Sequence, residues 1–157
     1  MQPQIVVISW MIDGSNKLDT PELAFNELNI TIKKILQISK NSKIIIIGPF
    51  PKWAGTLQKQ LVEYNLKTGK IPPKFMTYGL IQSSREWDNF FKEKFMEFSK
   101  INNNITYISS QDYLCNKKGC LTIIGDSMTD ISAVDWGHLT INGSIYLGKK
   151  IGNLIFN

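Results

Sequence analysis

The run Lys43-Ile44-Ile45-Ile46-Ile47-Gly48-Pro49-Phe50-Pro51-Lys52-Trp53 decides the fold class. Four consecutive isoleucines without polar alternation predict a buried strand, of the kind found in parallel sheets covered by helices. Gly48 and the two prolines stop the strand and make a stiff loop at its C-terminal edge. That edge is where open α/β sheets bind ligands. Upstream, Ile5-Val6-Val7-Ile8-Ser9 has the same β-branched, apolar character and predicts a second buried strand. Downstream, Ile105-Thr106-Tyr107-Ile108 predicts a third.

Helical signals fill the intervals. Thr20 as N-cap, Pro21 at the first helical position and Glu22 near the positive end of the dipole start a helix, expected to run to about Ser39. Leu28, Ile32, Ile35 and Leu36 give it an apolar face. Thr56 to Tyr64 reads as a short helix, and residues 65–80 as an irregular surface excursion. Ser83 and Glu86 have capping-box spacing. The helix behind them carries Trp87, Phe90, Phe91, Phe95 and Phe98 on one face, an aromatic stripe that predicts core. Leu121 to Ile124 reads as a short strand or edge segment. A terminal helix is expected from about Thr140 or Asn142, with Ile145, Ile151, Leu154 and Ile155 inward.

This order predicts a single α/β domain over residues 1–157, with a mostly parallel sheet. Only three strands are evident, whereas such sheets usually have four or five. A first strand outside the chain is therefore expected. A bare sheet edge left in its place would favour pairing with a second copy.

Composition excludes several classes. Lys+Arg 18 against Asp+Glu 13 gives a net charge of +5, but the basic residues are scattered, which argues against nucleic-acid binding. No apolar run reaches the roughly 18 residues of a membrane span. Met1-Gln2-Pro3-Gln4 shows neither a basic leader nor a small-residue cleavage site. Cys115 and Cys120 flank Asn116-Lys117-Lys118-Gly119. A tight turn there would allow a disulfide, and with it an oxidising compartment; the alternative is two reduced thiols in a loop. Two cysteines and one histidine are too few for a structural zinc site, so no metal is expected.

The candidate chemistry lies in Ser132-Ala133-Val134-Asp135-Trp136-Gly137-His138-Leu139-Thr140. His138 is the only histidine. On a loop, a carboxylate three residues earlier can accept from imidazole Nδ1–H and leave Nε2 to deprotonate a hydroxyl. A surface histidine without such a role is the alternative. The candidate nucleophile within the chain is Ser127, in Gly125-Asp126-Ser127, the tripeptide of a serine-esterase signature. It stands only eleven residues before His138, without room for the helix that normally follows the signature.

The order of landmarks resembles the C-terminal SGNH-type domain attached to membrane acyltransferase-3 proteins, the O-acetyltransferases of bacterial surface polysaccharides. Four segments carry the likeness: Val6 to Trp10, Ile47 to Trp53, Tyr113 to Cys120, and Val134 to Thr140 with Gly143-Ser144. The resemblance implies a three-layer SGNH hydrolase or flavodoxin-like fold with helices on both faces and no cofactor. It implies a serine acyl-enzyme with His138 as base and Asp135 as its orienter. It also implies a glycan acceptor, a membrane acyltransferase domain as partner, and a periplasmic or membrane-associated location. The family's oxyanion hole uses an asparagine, for which Asn16 is the nearest candidate. Trp10 would line the pocket or pack. Trp53 would stack on a sugar, or be a partly buried aromatic.

The family's own Gly-Asp-Ser block should precede Val6 by some tens of residues, so the nucleophile is expected outside this chain and the tripeptide at Ser127 is coincidental. Three functions follow: part of an O-acyltransferase or esterase acting on surface glycans, a non-catalytic glycan- or partner-binding remnant, or a stand-alone esterase using Ser127 with Asp135 or Asp130.

Overall fold

The computed structural model describes residues 3–9 and 20–156. Trp10 and Asn16 lie outside the described residues. The chain forms two compact units, Met1–Pro49 with Glu86–Ser109, and Phe50–Arg85 with Ser110–Asn157. Each is assembled from two separate stretches, so no linker divides the chain into an N-terminal and a C-terminal half.

The first unit holds a parallel sheet of β1 (Ile5–Ser9), β2 (Lys43–Ile47) and β4 (Ile105–Ile108), with β2 in the middle. The register pairs Val7 with Ile45 and Ile45 with Thr106. Ile44, Ile45 and Ile46 are all buried, so β2 is covered on both faces, as its unbroken apolar run requires. Ile44 and Ile46 pack into one core with Ala24, Leu28 and Ile32 of α1 (Pro21–Ile38) and with Phe91 and Phe95 of α3 (Ser83–Ser99). Both helices therefore serve the same face of the sheet. Trp87, Phe90 and Phe98 pack against this core, which confirms the aromatic stripe as structural. Thr20 caps α1, its hydroxyl accepting from Leu23 N–H at 3.3 Å.

Gly48 ends β2 where the backbone passes a buried polar group. Asp88 is fully buried and accepts from the Tyr107 hydroxyl at 2.7 Å and the Ser109 hydroxyl at 2.6 Å. A Cβ on Gly48 would stand 2.6 Å from Asp88 Oδ1 and collide with the Tyr107 hydroxyl. Only glycine fits there.

The second unit departs from the expected parallel pattern. It contains a small antiparallel sheet of β3 (Phe75–Met76), β6 (Gly119–Leu121) and β5 (Cys115–Asn116), in that order. The cysteine segment is a hairpin, not a loop. Cys115 pairs directly with Cys120 across it, and the two are joined by a disulfide. Asn116 Oδ1 accepts from Lys118 N–H at 2.7 Å and shapes the turn.

Helix α2 (Leu57–Thr68) begins at its Thr56 cap but runs a turn beyond Tyr64, to a left-handed cap at Gly69. Its Leu57 and Leu61 join Trp53, Met76, Cys120 and Ala133 in a second core. A short helix, α4 (Gln111–Leu114), precedes the hairpin. The terminal helix α5 (Ile141–Phe156) buries Gly143, Leu147, Ile151 and Ile155. Ile145 and Leu154, expected inward, are about half exposed, because the buried stripe steps by four from Gly143. Among the described residues, no helix is long and apolar enough to cross a membrane.

Candidate active site

The Asp135–His138 loop is a tight antiparallel excursion of the second unit. Ala133 bridges to Leu139, and Val134 N–H donates to the His138 carbonyl at 2.8 Å. Ser132 and Thr140 close its base, Thr140 N–H donating to the Ser132 carbonyl at 3.0 Å. Thr140 then joins loop to helix. Its hydroxyl donates to the Ile131 carbonyl at 2.8 Å and accepts from Gly143 N–H at 2.9 Å, an N-terminal cap for α5. A Cβ at Gly143 would collide with the Ser132 carbonyl, so the glycine lets α5 approach the loop. The His-Leu-Thr and Gly-Ser parts of the sequence motif thus have structural work that is separate from chemistry.

The N-terminal turn of α2 holds the loop from the other side. Leu57 N–H, one of the donors a helix start leaves unsatisfied, reaches the Asp135 carbonyl at 3.2 Å. Gln58 Nε2 donates to the Val134 carbonyl at 2.8 Å, and Trp53 N–H to the Trp136 carbonyl at 2.7 Å.

Asp135 is bonded through both oxygens. Oδ1 accepts from Gly137 N–H at 2.9 Å and His138 N–H at 2.8 Å, and Oδ2 lies 2.6 Å from His138 Nδ1. Partial burial pushes the carboxyl pKa up. The two backbone N–H groups and then the imidazole pull it down further, leaving it below the ordinary carboxylate value. An ionised carboxylate can only accept, so the short contact requires a proton on Nδ1. The neutral ring then carries its lone pair on Nε2. The His138 side chain is 56% exposed and that of Asp135 33%, so the ring is open to a reactant while the carboxylate sits beneath it. This arrangement can accept a proton from a hydroxyl and stabilise the resulting imidazolium.

The other expected site residues fall elsewhere. The exposed Ser127 hydroxyl is hydrogen-bonded to the Thr129 hydroxyl at 2.8 Å and accepts from Thr129 N–H at 3.3 Å, a local turn. Asp130 accepts from Asn142 Nδ2 at 2.8 Å. Trp53 is 1% exposed in the second core, which corrects its expected role as a sugar platform: its faces are covered by protein. Trp10 and Asn16 lie outside the described residues. Sequence reasoning passed over Trp136, whose half-buried ring lies edge-to-face with His138 at 6.1 Å between centroids, with Lys52 Nζ 5.0 Å from its own. Its position inside the Asp-x-x-His spacing was the available signal.

Comparisons with known proteins agree with this architecture. The family model of the SGNH domain (fused to AT3 domains) matches residues 3–153. The chain is similar to the periplasmic domain of a lipopolysaccharide acetyltransferase of Salmonella ser. Paratyphi A, with 43% identity and a TM-score of 0.91 over 99% of this chain. It spans 58% of that neighbour's length. It shares its fold with a Streptococcus pneumonia protein assigned as a platelet activating factor, at 15% identity and a TM-score of 0.61, covering 96% of this chain and 59% of that one. A search of curated proteins returned no match. The family match over almost the entire chain, with the parallel sheet behind it, means that this protein belongs to the family of SGNH domains found fused to AT3 domains.

Proposed function

We propose that this chain carries the base and orienter of an O-acyltransferase acting on bacterial surface glycans. The observation that carries the reading is the 2.6 Å contact between Asp135 Oδ2 and His138 Nδ1, with the opposite ring nitrogen left as a base. Likeness to the periplasmic domain of a lipopolysaccharide acetyltransferase supports acyl transfer, a glycan acceptor and a periplasmic location. The Cys115–Cys120 disulfide agrees with an oxidising compartment. A membrane AT3 domain supplies the acyl group.

The nucleophile in this reading is a serine outside these 157 residues. Its hydroxyl attacks the acyl carbonyl while its proton passes to His138 Nε2, and Asp135 stabilises the imidazolium. The imidazolium returns the proton to the departing group, leaving an acyl-serine. A sugar hydroxyl then gives its proton to Nε2 as its oxygen attacks the acyl-serine. The ester forms on the sugar, and the serine oxygen recovers the proton.

The test is His138→Ala in the chain joined to its membrane acyltransferase domain, with the acetyl content of the polysaccharide read by proton NMR. Acetylation should be lost. Undiminished acetylation would make the chain a binding remnant. Fluorophosphonate labelling of Ser127 in the isolated chain, abolished by His138→Ala, would make it a stand-alone esterase.

A further inference from the structure

Trp136 stands between orienter and base in sequence and beside the base in space. Its ring meets His138 at 69°, and its main chain is held by the bond from Trp53 N–H to the Trp136 carbonyl. Nothing in the proton transfer requires an aromatic side chain at this position. The atoms that polarise His138 come from the Asp135 carboxylate, itself fixed by the Gly137 and His138 amides. Nor does the second core require it, since Trp53 fills that role. A half-buried indole on a pinned loop is a rigid surface that loses little entropy on binding. Its face is electron-rich, and the C–H-bearing face of a pyranose is its apolar complement.

From these observations we infer that Trp136 is the platform on which the sugar ring of the acceptor stacks, bringing a ring hydroxyl to His138 Nε2. The inference rests on the reading of the chain as glycan-modifying. The two ring centroids lie 6.1 Å apart, so a sugar held on the indole is a neighbour of the imidazole. The sugar must take indole surface that the Lys52 ammonium, 5.0 Å from the ring centroid, does not occupy. Trp136 is thereby a binding and positioning residue, and the proton transfer remains with His138.

The test uses the chain labelled with 5-fluorotryptophan. Its four tryptophans give four fluorine resonances, assigned by single substitutions to phenylalanine. The probe is the delipidated, deacetylated surface polysaccharide of the organism that encodes the chain. Titration should move the Trp136 resonance and leave that of buried Trp53 in place. Trp136→Ala should weaken binding about tenfold, and Trp136→Tyr should keep most of it, in line with the loss of one aromatic stacking surface. An unmoved Trp53 resonance in both variants verifies the fold. The inference fails if the Trp136 resonance is silent, if Trp136→Ala binds like wild type, or if the polysaccharide does not bind. Loss of acetylation in His138→Ala alongside normal binding by Trp136→Ala would sink the platform and leave the base. The converse would sink the base and leave the platform.

Discussion

Asp135→Asn preserves the side chain's shape and removes its charge. In the wild type, Oδ1 accepts two backbone N–H groups and Oδ2 faces Nδ1 at 2.6 Å. An asparagine carbonyl can take over the two backbone bonds, which turns its amide nitrogen toward the ring. Two donors cannot face each other, so the imidazole must offer the Nδ1 lone pair and carry its proton on Nε2, where the base is needed. The expected loss in kcat is on the order of 10³–10⁴-fold, the size seen when a triad imidazole is held in the wrong tautomer. KM should change little.

The same substitution tests the electrostatics. Exchanging three charge-assisted bonds for neutral ones at a partly exposed site should cost about 1 kcal/mol at pH 7. The folded-state pKa of Asp135 is lowered, so its stabilisation is present above the unfolded carboxyl value and is lost as pH falls through the folded one. The gap between wild type and variant in urea midpoint should close in acid, below about pH 4. Acetyl transfer by the chain joined to an AT3 membrane domain, with urea melts at pH 7 and pH 3, measures both effects. Transfer within tenfold of wild type, or a stability gap that widens in acid, would refute the reasoning.

Other substitutions probe the frame. Gly48→Ala forces a methyl against the Tyr107 hydroxyl and Asp88, and should destabilise by about 2–3 kcal/mol in chemical denaturation. Adding Tyr107→Phe to it should recover part of that loss, and full additivity would show that the collision is not the cause. Thr140→Val removes the Gly143 cap and the bond to Ile131, and should cost about 1–2 kcal/mol, read as a lower urea midpoint. Replacing Cys115 and Cys120 together by serine opens a six-residue ring and should cost about 2 kcal/mol, seen as a lower melting temperature that reductant reproduces in the wild type.

The parallel sheet and its two main helices were legible because their signals are local and redundant. β2 is an uninterrupted isoleucine run, α1 has Thr20 and Pro21 at its start, and α3 carries five aromatic residues on one face. The antiparallel hairpin was not legible. Its strands are two and three residues long, and their pairing is set by Gly119 and the turn rather than by apolar periodicity. Ile151 and Ile155 of α5 are buried as expected, but Ile145 and Leu154 were misjudged: the contact with the loop is made by Gly143, which carries no hydrophobic signal, and this turns them outward. The Asp135–His138 pair could be read from spacing. Which tryptophan is buried could not, because Trp53 and Trp136 are chemically identical until the fold encloses one of them.

The central claim is that Asp135 holds His138 with its proton on Nδ1 and its lone pair on Nε2. Because His138 is the only histidine, a long-range proton–nitrogen NMR correlation of the uniformly labelled chain reports one imidazole without need of assignment. In the neutral ring, Nδ1 should appear at the shift of a protonated nitrogen and Nε2 at that of an unprotonated one, with the pattern reversed in Asp135→Asn. A wild-type ring protonated on Nε2 would contradict it.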